Sequence, residues 1–200
     1  RDKGKMTLEN FKKVIDEIKD VALQFQLQNW GESTIVKDLP AMIKYAADNK
    51  IFTKVSTNFS INYPKDFLED LMKSGLGILL IDVDGTTNEV YEKYRVNGNL
   101  DKVLENIRTV VKFKKENDIK YPIIKTKMLV MKHNEHQIED FEKLSKELGV
   151  DQIELGNIQM NPNTAKDWLP KNPEYKYASY EQSGDVEPCH WPWSSIVVNW

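Results

Sequence analysis

The chain has 200 residues, 40% hydrophobic and 30% charged, a size and composition at which one compact core is readily built. Twenty-eight basic residues against thirty-one acidic ones leave a formal charge of -3, which gives no electrostatic footprint for nucleic acid or an anionic membrane. No apolar run approaches the ~20 residues of a membrane span, and the single cysteine, Cys189, excludes an internal disulfide framework and any complete thiolate metal site. The expectation is a cytoplasmic chain with no nucleic-acid and no membrane partner, truncated at its N-terminus, since RDKGKMTLEN is neither a signal peptide nor an obvious natural start.

The first predicted element is a helix opening at a Thr7 cap, with Glu9 in its first turn and Phe11, Val14, Ile15 and Ile18 on one face. A strand follows in which Leu23, Phe25 and Leu27 alternate with Gln24, Gln26 and Gln28. The apolar set is expected to meet helices and the glutamines to face a barrel lumen. Next come the helix KDLPAMIKYAADN, with Met42, Ile43 and Ala46 apolar, and the strand FTKVSTN. A helix from Pro64 to Gly75 leads to ILLIDVDG, the most apolar strand. The helix NLDKVLENIRTVVKFKKEN carries the cleanest stripe, Val103, Leu104, Ile107, Val110 and Val111. The strand YPIIKTKMLVMK, the helix EHQIEDFEKLSKELG and the strand DQIELGNI complete five strands and five helices. Such alternation argues for βα units in a parallel sheet or barrel. A right-handed barrel begins with a strand, so a chain opening on a helix is expected to have its first strand upstream. From Gln159 onward neither period survives, and five of the eight prolines and four of the five tryptophans gather there, as in an extended linker into a second module.

Ligands of α/β folds bind at the carboxyl ends of strands, and four polar strand ends stand out. Gly31 lets backbone approach a ligand and Glu32 offers an acceptor for a ligand ammonium, although a turn glycine and a solvated glutamate have the same spelling. Ser56, Thr57 and Asn58 supply hydroxyls and an amide suited to a ribose or a carboxylate, and are also ordinary turn residues. Asp82 and Asp84 share one strand face in the form of the haloacid-dehalogenase phosphatase signature, in which Asp82 is nucleophile and Asp84 acid/base with a magnesium ion. That motif usually opens its fold, whereas two βα units precede it here and no paired acidic motif follows. His133 and His136, with Glu135 and Glu139, straddle a strand end and a helix start, so Asn134 is expected to cap the helix and the histidines to be local. The aromatics between Trp168 and Trp200 fit a stacking surface or simple packing.

In order, these strand ends resemble the radical S-adenosylmethionine (SAM) superfamily, specifically members with a C-terminal SPASM-type iron-sulfur extension. NWGESTIVKDLPAMIKYAADNKIFTKVSTN is similar to the second and third βα units of that family, IDVDGTTNEVYEKYRVNGNLDKVLENI to the fourth, and MLVMKHNEHQIEDFEKLSKELGVDQIEL to the fifth and the start of the sixth. The resemblance implies a partial (β/α)6 TIM-like barrel over residues 1–158 lacking its first strand, a linker over 159–188, and the start of a SPASM auxiliary-cluster domain over 189–200. It implies that Gly31 and Glu32 grip the cofactor's amino group, that Ser56, Thr57 and Asn58 lie near the cofactor, and that Asp84 and Gly85 match the family's S-x-D-G strand end. Arg95 matches an arginine that meets the cofactor carboxylate, for which a guanidinium fork is suited. At Asp82 many relatives have serine, which creates the phosphatase look-alike.

The family's C-x-x-x-C-x-x-C motif for a four-iron four-sulfur cluster is absent, and its expected place is just before Arg1. CHWPWSSIVVNW resembles the SPASM opening, making Cys189 the first ligand of an auxiliary iron-sulfur cluster. The implied reaction is reductive cleavage of SAM at the cluster, giving a 5′-deoxyadenosyl radical that abstracts hydrogen from a peptide or small-molecule substrate. The implied partner is a reductant such as flavodoxin or ferredoxin. The 200 residues alone are expected to be inactive and to hold no intact cluster, and the alternative remains the magnesium phosphatase built on Asp82 and Asp84.

Overall fold

A computed structural model describes residues 4–28, 31–158, 167–175 and 194–198. Within them lie α1 (Leu8–Ile18), β1 (Gln24–Gln26), α2 (Leu39–Asp48), β2 (Phe52–Thr57), α3 (Lys65–Lys73), β3 (Ile78–Asp82), α4 (Asn88–Tyr94), α5 (Leu100–Glu116), β4 (Ile123–Val130), α6 (Ile138–Leu148) and β5 (Gln152–Asn157). Short 3-10 turns occupy Ser33–Ile35, Glu135–Gln137 and Pro173–Tyr175. All five strands pair in parallel and in chain order, β1-β2-β3-β4-β5. A strand order that never reverses, with a helical crossover between each pair, winds in one direction and leaves one sheet face to the helices. This is the partial α/β barrel that the alternation of elements predicts, rather than a doubly wound sheet.

Burial follows the two faces. Along β4, Ile124, Thr126, Met128 and Val130 are buried, whereas Ile123, Lys125, Lys127 and Leu129 are half-buried. The buried set joins α3, α5 and α6 in one core that includes Leu71, Val103, Ile107, Val110 and Phe141. The predicted α5 stripe is buried throughout. A smaller cluster of Phe11, Ile15, Met42, Ala46 and Ile51 seats α1 and α2 against the first strand.

Two details depart from the sequence reading. First, β1 is three residues long. Phe25 and Leu27 pack against the α1–α2 cluster, with Phe25 edge-on to Phe11 at 5.5 Å, but Leu23 lies one residue before the pairing starts and is 86% exposed. Second, the described residues hold six α-helices rather than five, the addition being the seven-residue α4. Its sequence NEVYEKY is too short to display a helical period. Long-range contact makes it: Tyr91 is fully buried, Thr87 accepts the Val90 N–H as a cap, and Gly85 lies so close that a Cβ there would sit 2.6 Å from Tyr91 N. Among the described residues no helix is long and apolar enough to cross a membrane.

Candidate functional site

The carboxyl ends of β1 and β2 meet at Glu32. Gly31, at φ +91°, makes the turn that leads to it, a conformation costly for a side-chain-bearing residue, and the space around it is open. Glu32 then caps the 3-10 turn Ser33–Ile35. Its Oε1 accepts from Thr34 N at 3.1 Å and from Thr34 Oγ1 at 2.6 Å, and its Oε2 accepts from Asn58 N at 3.0 Å. Two carboxylate oxygens offer about four acceptor directions, so three donors orient the group and still leave room for one more. Glu32 is thus a fixed, half-buried anion and not a solvated turn residue.

Ser56, Thr57 and Asn58 divide their work. Ser56 is half-buried on the lumen face, and its N–H donates to Gln28 Oε1 at 3.1 Å. A side chain thereby continues the ladder where β1 has ended. Thr57 is 2% exposed and faces the helices, where its Oγ1 accepts from Phe59 N at 2.9 Å and lies 3.3 Å from Thr34 Oγ1. It supports the wall under Glu32 and does not face the lumen. Asn58 uses its N–H on Glu32 and its Oδ1 on Ser60 N.

A second charged group lies at the end of β3. Asp84 is fully buried, with Oδ1 accepting from Leu129 N at 2.8 Å and Oδ2 from Arg95 Nε at 2.6 Å. Arg95, where α4 ends, also places Nη2 3.0 Å from Asp82 Oδ2. Asp84 therefore takes Nε and Asp82 takes one arm of the guanidinium, Nη2, and neither carboxylate engages the other arm, Nη1. Burial works against the Arg95 charge, but Asp84 and Asp82 outweigh it and raise its pKa further. Asp82 is pushed up to about 6, first by burial and then by the Asp84 charge, with Arg95 and Lys127 opposing. Asp82, Lys127 and Glu154 stand in register on adjacent strands, and Lys127 Nζ lies 3.2 Å from Glu154 Oε1.

Asn134 is the main residue the sequence reading misassigned. It precedes the turn Glu135–Gln137 but makes no side-chain cap. Fully buried, it accepts from Met131 N at 2.7 Å and donates to Asp84 O and Leu129 O at 3.0 and 2.9 Å, tying the ends of β3 and β4 together. Local spelling gives a cap residue; burial between two strand ends redirects the amide. Gln137 plays a similar part, accepting from Thr86 N at 2.8 Å. Neither Gln137 nor Thr34, which also touches Tyr63 OH at 2.5 Å, carries a sequence signal beyond its polarity next to a strand end.

His133 packs edge-on against Trp168 at 5.3 Å, and burial lowers its pKa, with Lys93 adding to the effect. Trp168 docks on the barrel, its carbonyl accepting from Lys132 N at 3.0 Å, and Glu135 Oε2 accepts from Lys171 N and Asn172 N. Among the described residues no group of three or more His, Cys, Asp or Glu is arranged to hold a metal ion. Asp84, the acid/base of the phosphatase alternative, has both oxygens engaged by protein donors. Cys189 lies outside the described residues.

The molecule is thus a singly wound parallel half-barrel with a fixed carboxylate at one pair of strand carboxyl ends and a fixed guanidinium at the next. Residues 1–145 match the Radical SAM superfamily, and the chain belongs to it. PqqA peptide cyclase of Bradyrhizobium diazoefficiens is 25% identical over 154 residues, 77% of this chain and 39% of that protein. Mycofactocin maturase MftC of Mycobacterium tuberculosis is 22% identical over 149 residues, 74% of this chain and 36% of that protein. The chain therefore spans under two fifths of the length of these relatives. Streptococcus suis SuiB bound to S-adenosylmethionine superposes with a TM-score of 0.66 at 15% identity, covering 86% of this chain and 38% of that one. A structure of anSMEcpe with bound AdoMet gives 0.60 at 14% identity, covering 78% and 43%. At these identities the likeness is one of fold.

Proposed function

We propose that this chain is the SAM-binding portion of a radical SAM enzyme that modifies a peptide. The observation that carries the reading is Glu32, a carboxylate clamped by three donors with one acceptor direction left over at the barrel rim. The amino-acid end of SAM presents an ammonium and a carboxylate; Glu32 suits the first and the Nη1 arm of Arg95, held in place by Asp82 and Asp84, suits the second. Gly31 makes the turn that presents Glu32, Ser56 and Asn58 line the rim, and Thr57 and Asp84 act from behind, holding Thr34 and Arg95. When bound, SAM and a reduced four-iron four-sulfur cluster supply the 5′-deoxyadenosyl radical that abstracts a substrate hydrogen. The protein's share is to orient the cofactor's ends and exclude water around them.

One cysteine among 200 residues cannot supply three thiolates, so the cluster ligands are proposed to lie outside this sequence. Cys189 is proposed as the first ligand of an auxiliary cluster, with 1–158 as barrel, 159–188 as linker and 189–200 as the opening of a SPASM domain. The peptide substrate is supported by the names of relatives, a PqqA peptide cyclase and a SuiB structure bound to the precursor peptide SuiA. A polar lumen carrying Lys54, Ser56, Lys125 and Lys127 suits such a guest. A flavodoxin or ferredoxin reductant and a cytoplasmic location complete the proposal.

The test is SAM affinity of the full-length protein with clusters reconstituted. Glu32→Gln is expected to weaken binding about 10- to 100-fold, the worth of a charge-assisted hydrogen bond. Unchanged affinity removes Glu32, and with it this reading of the site.

A further inference from the structure

Beneath Glu32 runs a line of hydroxyls whose proton directions the geometry fixes. A carboxylate only accepts, so the 2.6 Å contact to Glu32 Oε1 takes the single Thr34 hydroxyl proton. Thr34 Oγ1 is then the acceptor in its 2.5 Å contact with Tyr63 OH and its 3.3 Å contact with Thr57 Oγ1. The Thr34 and Tyr63 hydroxyls therefore both point their protons toward Glu32, and hydrogen bonds in series polarise one another. Thr34 is 3% exposed, so water is poorly placed to replace a missing donor.

Tyr63 is held by more than its hydroxyl. Its ring lies between Phe59 and Phe67 at 5.0 and 5.5 Å, stacked on the latter with 10° between planes. Phe59, fully buried at φ +52°, is pinned from α5, where Asn106 Nδ2 donates to the carbonyls of Phe59 and Ile61 at 2.9 Å each. A non-glycine residue in the left-handed region persists only where its surroundings over-determine it. Burial pushes the Tyr63 phenol up to about 12, against its hydrogen bonds to Thr34 and Thr57, so it remains a donor at working pH.

The geometry assigns Tyr63 as a positioning residue for the cofactor's amino group: acting through Thr34, its hydroxyl holds Glu32 in the orientation that leaves an acceptor direction for an ammonium. The assignment rests on the proposed role of Glu32. Without the phenol, Thr34 Oγ1 loses its short donor and the carboxylate loses a restraint on its rotation. The cost then falls on ligands that carry the ammonium.

The experiment measures equilibrium binding of SAM, and of its analogue lacking the α-amino group, to the full-length reconstituted protein. Tyr63→Phe is expected to weaken SAM about 3- to 10-fold, the range of one net hydrogen bond, and to leave the deaminated analogue unchanged. In a Glu32→Gln background the same change is expected to have no further effect. Thr34→Val is expected to reproduce the loss and Thr34→Ser, which keeps the hydroxyl, to restore binding. Unchanged SAM affinity in Tyr63→Phe, or equal weakening of both ligands, overturns the assignment. Glu32→Gln measured alone reports separately on the reading beneath it: if that variant binds SAM normally, the ammonium site itself is elsewhere.

Discussion

At the scale of single residues, Asp82 is where this chain differs most usefully from the pattern it resembles. One guanidinium serves two carboxylates there, and the more exposed of the two carries the strain: burial and the Asp84 charge lift Asp82 from the ordinary 3.8 to about 6. A carboxyl whose folded pKa is raised binds its proton more tightly when folded. The Asp82 contribution to stability is therefore greatest below pH 4 and is lost as pH rises toward 6, because the unfolded chain ionises first. Asp82→Ser removes that dependence. Relative to the unaltered protein, the serine variant is expected to gain on the order of 3 kcal/mol between pH 4 and pH 7, from a shift of about two pKa units. Denaturant melts at the two pH values measure it, and a pH-independent difference refutes the assignment. Gly31, Glu32 and Arg95 were singled out in the sequence by their place in an ordered family resemblance, since turn chemistry alone gives a glycine and a solvated glutamate. Tyr63, Gln28 and Asn134 were not, because each works through a partner far away in the chain: Tyr63 lies 29 residues from Thr34, Gln28 lies 28 from Ser56, and Asn134 lies 50 from Asp84.

At the scale of elements, the strands were legible because their apolar runs are long or strictly alternating, and the longer helices because 10 to 17 residues suffice to show a stripe. The element that mattered for the site, α4, was not, since seven residues with Val90 and Tyr91 as the apolar pair show no period. Yet α4 delivers Arg95, and its seat depends on Gly85. An alanine Cβ at that position would meet Tyr91 N at 2.6 Å and Tyr91 Cα at 2.9 Å, both backbone atoms that a rotamer change cannot move. Gly85→Ala is expected to cost about 1–3 kcal/mol as an overpacking change and to weaken SAM binding by shifting the Arg95 fork. Gly31→Ala, strained at φ +91° but with open space around it, is expected to cost about 1 kcal/mol of backbone strain and to leave α4 in place. Urea melts of both variants decide the matter. Equal stability of Gly85→Ala and the parent contradicts the packing argument.

At the scale of the whole molecule, the one-way strand order accounts for both the polar rim and the character of the lumen. Helices on one face bury Thr53, Val55, Ile124 and Met128, so the opposite face is free to carry Lys54, Ser56, Lys125 and Lys127. The glutamine alternation of the first strand announces that polarity, though only Gln28 reaches a described partner, at Ser56 N, while Gln24 and Gln26 are exposed. At the rim, Glu32 and Arg95 are held by the protein's own donors and acceptors. What these 200 residues lack is the set of three thiolates that a four-iron four-sulfur cluster needs. With Cys189 alone, anaerobic treatment with iron and sulfide is expected to leave the chain without a stoichiometric four-iron four-sulfur cluster and without SAM cleavage. Iron and acid-labile sulfide per chain, read beside the charge-transfer absorption of the product, measure it. Four irons and four sulfides per chain, with methionine and 5′-deoxyadenosine released, contradict the proposal that the cluster ligands lie outside this sequence.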